Sequence, residues 1–165
     1  MGKNETFTFN GIPKNVAELS ALPEAALTNP FQAAALTVLA LCRYCEDTQS
    51  GIDMLNWLKG PQPLSTYEQQ FLRDRLRGKA YVPNSYFAGT SPQNNYTPPQ
   101  PLTVIVKDDP YSYVEEGYAK LLIQSSGADT ARPIKMRRKG QETWFLWEQF
   151  LLPDIRQPVA NDPWA

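Results

Sequence analysis

Between Phe31 and Glu46 the chain reads FQAAALTVLALCRYCE, with Gln32, Thr37, Arg43 and Glu46 as its main polar breaks. A helix that is apolar on nearly every side must be covered on every side, so this segment is expected to be the element around which the rest is arranged. Its most apolar window, Phe31 to Cys42, is too short to cross a bilayer and suits a buried helix. Asn29 supplies an N-cap, Pro30 takes the first helical position, and Gln32 stands where a capping box needs it.

The remaining first half is also helical in pattern. Ser50-x-x-Asp53 predicts the start of a shorter helix carrying Met54, Leu55, Trp57 and Leu58, stopped by Gly60 and Pro61. Ser65-x-x-Glu68 is a capping box for a third helix, with Phe71, Leu72 and Leu76 inward and Gly78 at its end. Thr6 to Phe9 alternates like a short strand, and Val16 to Leu27 holds brief helical turns broken by Pro23. The second half changes to a period of two. Leu102–Val106 and Tyr118–Gln124 read as strands, and Pro133–Arg138 with Glu142–Trp147 reads as a hairpin about Lys139-Gly140-Gln141. In the last strand Trp144 and Leu146 point one way and Phe145 and Trp147 the other, so both faces should be covered. The expected fold is α+β, with N-terminal helices around a central buried helix packed on a C-terminal antiparallel sheet of about four to five strands. The whole chain, 1–165, has the size of a single domain, divided into a mainly helical part (1–78), a Pro/Tyr-rich ordered loop (79–101) and a mainly strand part with a docked tail (102–165).

Composition removes several kinds of chemistry. The chain has no His, which excludes an imidazole base and any His-ligated metal within it. Lys plus Arg is 16 against Asp plus Glu 17, a net charge of -1, so there is no bulk attraction to nucleic acid or to an anionic membrane. The N-terminal MGKNETFTFNG has no apolar run of the signal-peptide kind, and a cytoplasmic location is the expectation.

Several short patterns invite a chemical reading and a plainer one. Cys42 and Cys45 have CxxC spacing, but they lie near the C-terminal end of the central helix, where the dipole favours the thiol over the thiolate. Two buried small apolar side chains is the simpler reading. The carboxylates at Glu46-Asp47, Asp108-Asp109, Glu115-Glu116, Asp129 and Asp154 follow no metal-loop spacing and read as solvated turns and caps. SSGAD at 125–129 resembles a small anion-binding turn, against a strand-to-strand turn with Gly127 at positive φ and Asp129 bonding the backbone. Arg132, Lys135, Arg137, Arg138 and Lys139 form the one dense basic patch, with Lys135, Arg137 and Lys139 on one face of a strand. A nucleic-acid platform competes there with lysines protecting a strand edge, and the second is preferred. Pro98-x-x-Pro101 is a chance-level PxxP pattern. Trp144 and Trp147 read as core, and Trp164 as a residue that docks on the body to fix the tail.

The segment 81–101, YVPNSYFAGTSPQNNYTPPQP, is the anomaly: five prolines, three Asn and the aromatics Tyr81, Tyr86, Phe87 and Tyr96 without a regular period. From here onward the wording is specific: SYF at 85–87, NNY at 94–96, DPYSY at 109–113, EGYAKL at 116–121, SSGAD at 125–129, RPIKMRRKG at 132–140, WFLWEQFLLPDIRQP at 144–158 and DPWA at 162–165. In these phrases the last half of the chain resembles an uncharacterised bacterial domain of unknown function. The resemblance implies a bacterial single-domain protein and carries no activity and no catalytic residue.

The leading expectation is therefore a non-catalytic binding module whose partner is another protein, monomeric or a weak homodimer, without nucleic acid, membrane, metal or cofactor. Its recognition surface would comprise Tyr81, Tyr86, Phe87, Asn94, Asn95 and Tyr96 with the Tyr111 and Tyr113 turn, since Tyr and Asn on a pinned loop give contact area at small entropic cost. The alternative is a His-independent enzyme or small-ligand binder, with a pocket between sheet and helices using Asp/Glu, Tyr and Arg. A loop that merely covers the sheet is the plainest possibility.

Overall fold

The computed structural model describes residues 2–165. In chain order it comprises β1 (Asn4–Phe9), α1 (Val16–Ser20), a 3-10 turn at Pro23–Ala26, α2 (Pro30–Glu46), α3 (Thr48–Lys59), α4 (Thr66–Leu76), α5 (Tyr81–Asn84) and a 3-10 turn at Pro92–Asn94. Then come β2 (Leu102–Lys107), β3 (Tyr118–Ile123), β4 (Arg132–Lys139), β5 (Thr143–Gln149) and a last 3-10 turn at Val159–Asn161. The strands form one five-stranded sheet in the order β1-β2-β3-β4-β5, every neighbour antiparallel. The α+β expectation holds.

Helix α2 lies across β2 to β5 on one face of the sheet and against α3 on its other side. Ala33, Leu36, Val38, Leu39, Ala40 and Leu41 are without solvent exposure, as the pattern demanded. The strands answer with Val104, Val106, Ala119, Leu121, Ile134 and Met136, also sealed from water. Each Leu, Ile or Val buried in this layer contributes about 1.5–3 kcal/mol relative to exposure. Asn29 caps the helix by accepting from Gln32 N–H at 3.1 Å, while Gln32 reaches back one residue further than a capping box, to Thr28 N–H at 2.8 Å.

The start of α3 differs from its sequence pattern. Asp47, not Ser50, is the N-cap, and its carboxylate takes both the Ser50 N–H and the Ser50 hydroxyl. The same residue ends α2, so a single extended residue turns the chain between two antiparallel helices. Their approach is close at Gly51, where a Cβ would fall on the Tyr44 backbone. The capping box Ser65–Glu68 at the head of α4 is formed as expected.

The segment 81–101 is more regular than its composition suggests, opening on α5 and containing a 3-10 turn. Its position explains its aromatics. Strands β2 and β3 pair only at Val106–Ile123 and Lys107–Leu122, and beyond that they part. Ser85–Ala88 fills the opening: Ala88 N–H donates to Thr103 of β2 at 2.9 Å, and Ser126 N–H donates to Ser85 at 2.8 Å. The Ser85 hydroxyl is bonded to Val82 O and to Ser125 Oγ, and Thr90 Oγ1 meets Ser126 Oγ at 2.7 Å. Tyr86 donates to Leu151 O and Tyr96 donates to Arg156 O at 2.6 Å, so the loop also holds the chain that follows β5.

Two tail and turn expectations fail. Trp164 is 92% exposed and docks on nothing, its N–H turned back onto the Asp162 carboxylate. Gly127 is not at positive φ; its lack of a side chain leaves room for the Tyr96 hydroxyl, and Asp129 pairs with Arg156 rather than the backbone.

Two substitutions check this packing. Gly51→Ala, which in an ordinary helix stabilises by about 1 kcal/mol, is expected to lower stability here because the added methyl meets Tyr44 backbone. Phe87→Ala should cost about 3–5 kcal/mol in denaturant unfolding, the scale of a core residue and far from the value of a solvent-facing loop aromatic.

Candidate functional site

The aromatics proposed for a loop surface are mostly inside. Tyr86, Phe87 and Tyr96 are buried, and Tyr81 is half-buried with its ring stacked on Tyr96 at 5.7 Å. The reason is the gap between β2 and β3, which needs apolar filling and backbone partners at once. Asn94 and Asn95 are exposed. The Asn94 side chain is spent on its own turn, bonding Ser91, Gly89 and Thr97, and Asn95 Oδ1 accepts from Ala160 N–H at 3.4 Å. These residues hold the loop and the tail together.

Tyr111 and Tyr113 lie elsewhere, on the turn between β2 and β3, and they remain outside. Tyr111 is 73% exposed, Tyr113 51% and Val114 78%. The turn beneath them is fixed. Asp108 accepts from Lys3 N–H at 2.6 Å and from the Tyr113 hydroxyl at 2.9 Å. Asp109 accepts from Tyr111 N–H, and Lys120 N–H bonds Ser112 O, tying the turn to β3. Glu115 meets Lys135 of β4 at 2.7 Å. Three apolar side chains thus stand in water on a braced support, flanked by Asp109, Glu115 and Glu116. Burial and the Asp108 carboxylate both push the Tyr113 hydroxyl above its ordinary range, so it stays a neutral donor.

Beyond this turn the outer face of the sheet carries an aromatic and cationic row that sequence reasoning assigned differently. Tyr118, Arg137 and Phe145 stand opposite one another on β3, β4 and β5. The pairing of β4 with β5 is irregular between Lys135 and Met136, because Lys135 faces Glu148 while Met136 faces Leu146. Trp147 is the extra residue, and its ring meets Tyr118 edge-on at 5.8 Å and Arg137 at 4.6 Å. Trp147 is therefore half-buried rather than core, because only the turn after α3 approaches that face, at Phe145. Trp144 lies on the opposite face with Leu146 and is also half-buried, its backbone N–H donating to Leu27 O at 2.9 Å. Nor is β4 an edge: it lies between β3 and β5, so edge protection does not account for Lys135, Arg137 and Lys139.

Between α4 and the end of β5 lies a mainly apolar groove that also holds Glu68 and Glu148. Glu68 is already engaged. It accepts Ser65 N–H in the capping box and faces the Nζ of buried Lys59 at 3.1 Å, and that Nζ also donates to Trp147 O. Burial pushes this carboxyl up, but Ser65 N–H and the Lys59 ammonium outweigh it and leave it below the usual range. Among the described residues no group of three or more His, Cys, Asp or Glu is placed to hold a metal ion, and no helix is long and apolar enough to cross a membrane. Cys42 is buried and Cys45 half-buried, both free. Burial, reinforced by the neighbouring Glu46 carboxylate, raises the Cys45 thiol to about 11, and burial raises Cys42 well above its ordinary value.

Both effects have solution signatures. At pH 8 the two thiols should react with an alkylating reagent far more slowly in the folded chain than in denaturant, because the thiolate is suppressed. The lowered Glu68 carboxyl stabilises the fold fully above the ordinary carboxylate range, and that contribution is lost as pH falls through the lower folded value. Unfolding of Glu68→Gln should accordingly depend less on pH between about 3 and 5 than unfolding of the parent.

No curated protein and no solved structure matches the chain. One family does, a domain of unknown function (DUF6935), over residues 11–159. That span runs from the linker after β1, through α2, the buried 81–101 segment and the whole of β2 to β5, to the first residue of the last 3-10 turn. Both the helical half and the strand half fall within it, and the chain belongs to the DUF6935 family.

Proposed function

We propose that the chain is a non-catalytic binding module of a bacterial cytoplasm that recognises another protein through the turn between β2 and β3. The observation that carries this reading is the display of Tyr111, Tyr113 and Val114 in water on a turn whose backbone is braced by Asp108, Asp109 and Ser112. Exposed apolar side chains on a braced backbone bind at small conformational cost, because the turn itself need not be ordered on contact. The carboxylates of Asp109, Glu115 and Glu116 around them suit a partner whose shallow apolar depression is rimmed by Lys or Arg. Aromatic residues at the centre with charge at the rim is the common anatomy of such contacts.

A photo-crosslinking amino acid at Val114, with the same group at exposed Tyr67 on α4 as control, tests the reading in cells of the native host. A single crosslinked protein at Val114, absent at Tyr67 and lost on Tyr111→Ser or Glu116→Lys, is the expected result. Both substitutions should leave thermal stability within about 0.5 kcal/mol of the parent, as exposed positions do. No adduct at Val114, or an adduct indifferent to both substitutions, would end the proposal.

A further inference from the structure

The geometry points to a binding site for one phosphate-bearing ligand of nucleotide size, in the groove between the outer face of β4–β5 and the turn from α3 to α4. The groove has a volume of about 400 Å³, within the range of small-ligand sites. Its wall on one side is the turn Gly60 to Gln62, pressed onto β5 so closely that a Cβ at Gly60 (φ +66°) would lie 2.5 Å from Phe145. Its floor is Phe145 and Trp147, and Arg137, Arg138 and Lys139 line it from β4. Lys59 also borders it, but its charge is taken up by Glu68. Not one carboxylate lines this groove, although acidic residues outnumber basic ones in the chain.

Three other basic side chains of the sheet and tail are spoken for. Lys135 pairs with Glu115, Arg156 pairs with Asp129, and Arg132 bonds the Asp154 carbonyl. Among the described residues Arg137, Arg138 and Lys139 have no carboxylate partner and no side-chain hydrogen bond. Arg137 is nevertheless held in place, its guanidinium lying 4.6 Å from the Trp147 ring centre and 5.4 Å from that of Tyr118. Rings against a guanidinium occupy its face and leave its N–H edge to a ligand. Lys139, two residues along β4, presents its ammonium on the same face. A guanidinium fork beside a point charge matches a phosphate monoester, and the apolar floor suits a planar ring. The α3–α4 wall closes one side, which favours a single compact ligand over a continuous strand of nucleic acid.

Calorimetric titration of the full chain with adenosine monophosphate, adenosine, inorganic phosphate, a tetraglutamate peptide and a ten-residue oligothymidine tests this directly. The monophosphate should bind at least about tenfold more tightly than adenosine or phosphate, as hydrogen bonds to a charged group imply. Arg137→Gln should weaken that binding by a similar factor. Lys139→Gln, at an exposed position that packs against nothing, should also weaken it while leaving the melting temperature unchanged, so that loss of binding is separable from loss of fold. Binding of the monophosphate no tighter than that of adenosine, or equal binding by both variants, would overturn the site. Preference for the peptide would overturn its phosphate chemistry, and preference for the oligonucleotide would overturn the single-ligand reading. None of these results bears on Val114, so the site and the protein-binding turn stand or fall separately.

Discussion

The parting of β2 from β3 is the constraint on which the rest of this structure turns. The sheet lies along α2 from β2 to β5, and its ladder breaks between two of its internal strands. Backbone groups exposed in such a break must find partners, or each costs about 1–3 kcal/mol. The Ser85–Ala88 segment supplies them on both sides, Thr103 on one and Ser126 on the other. Once the segment is inserted, its own side chains are inside, and Tyr86, Phe87 and Tyr96 become core. The two tyrosine hydroxyls then need acceptors, which the chain after β5 provides at Leu151 and Arg156. One break in a ladder thus fixes the loop, the tail and the size of the core.

Much of the scaffold was legible in the sequence because its signals are local. An all-round apolar run with Asn29 and Pro30 at its head could only be a buried helix, and the Ser65–Glu68 spacing named the start of α4. The hairpin about Gly140 followed from alternation and one turn. The start of α3 lies three residues before the one its pattern suggests, because Ser50 and Asp53 form a plausible cap, whereas Asp47 both ends α2 and caps α3, a relation that only the packing of the two helices reveals.

The functional surface was less legible for a different reason. Aromatics in a proline-rich segment look the same whether they face water or plug a gap between strands, and which occurs depends on pairing between residues distant in sequence. Tyr111 and Tyr113 stay outside because a turn on the sheet's rim has nothing to cover it. The basic patch was read as edge protection because strand order cannot be derived from the pattern of one strand; β5 beyond it makes β4 internal. Its neighbours' hydrophobicity makes Trp147 look like core, though the absence of a helical layer over that face leaves it with Arg137 and Tyr118 instead.

The additional residue in β5 has an evolutionary corollary. It lets Trp147 and Glu148 lie on the same side of the sheet, whereas strict alternation would send one of them towards the helices. Removing Trp147 or Glu148 would restore strict alternation and leave a single side chain, indole or carboxylate, opposite Lys135. Relatives that retain the basic trio but keep only the carboxylate of this pair would be predicted to leave the guanidinium of the equivalent arginine without its aromatic seat.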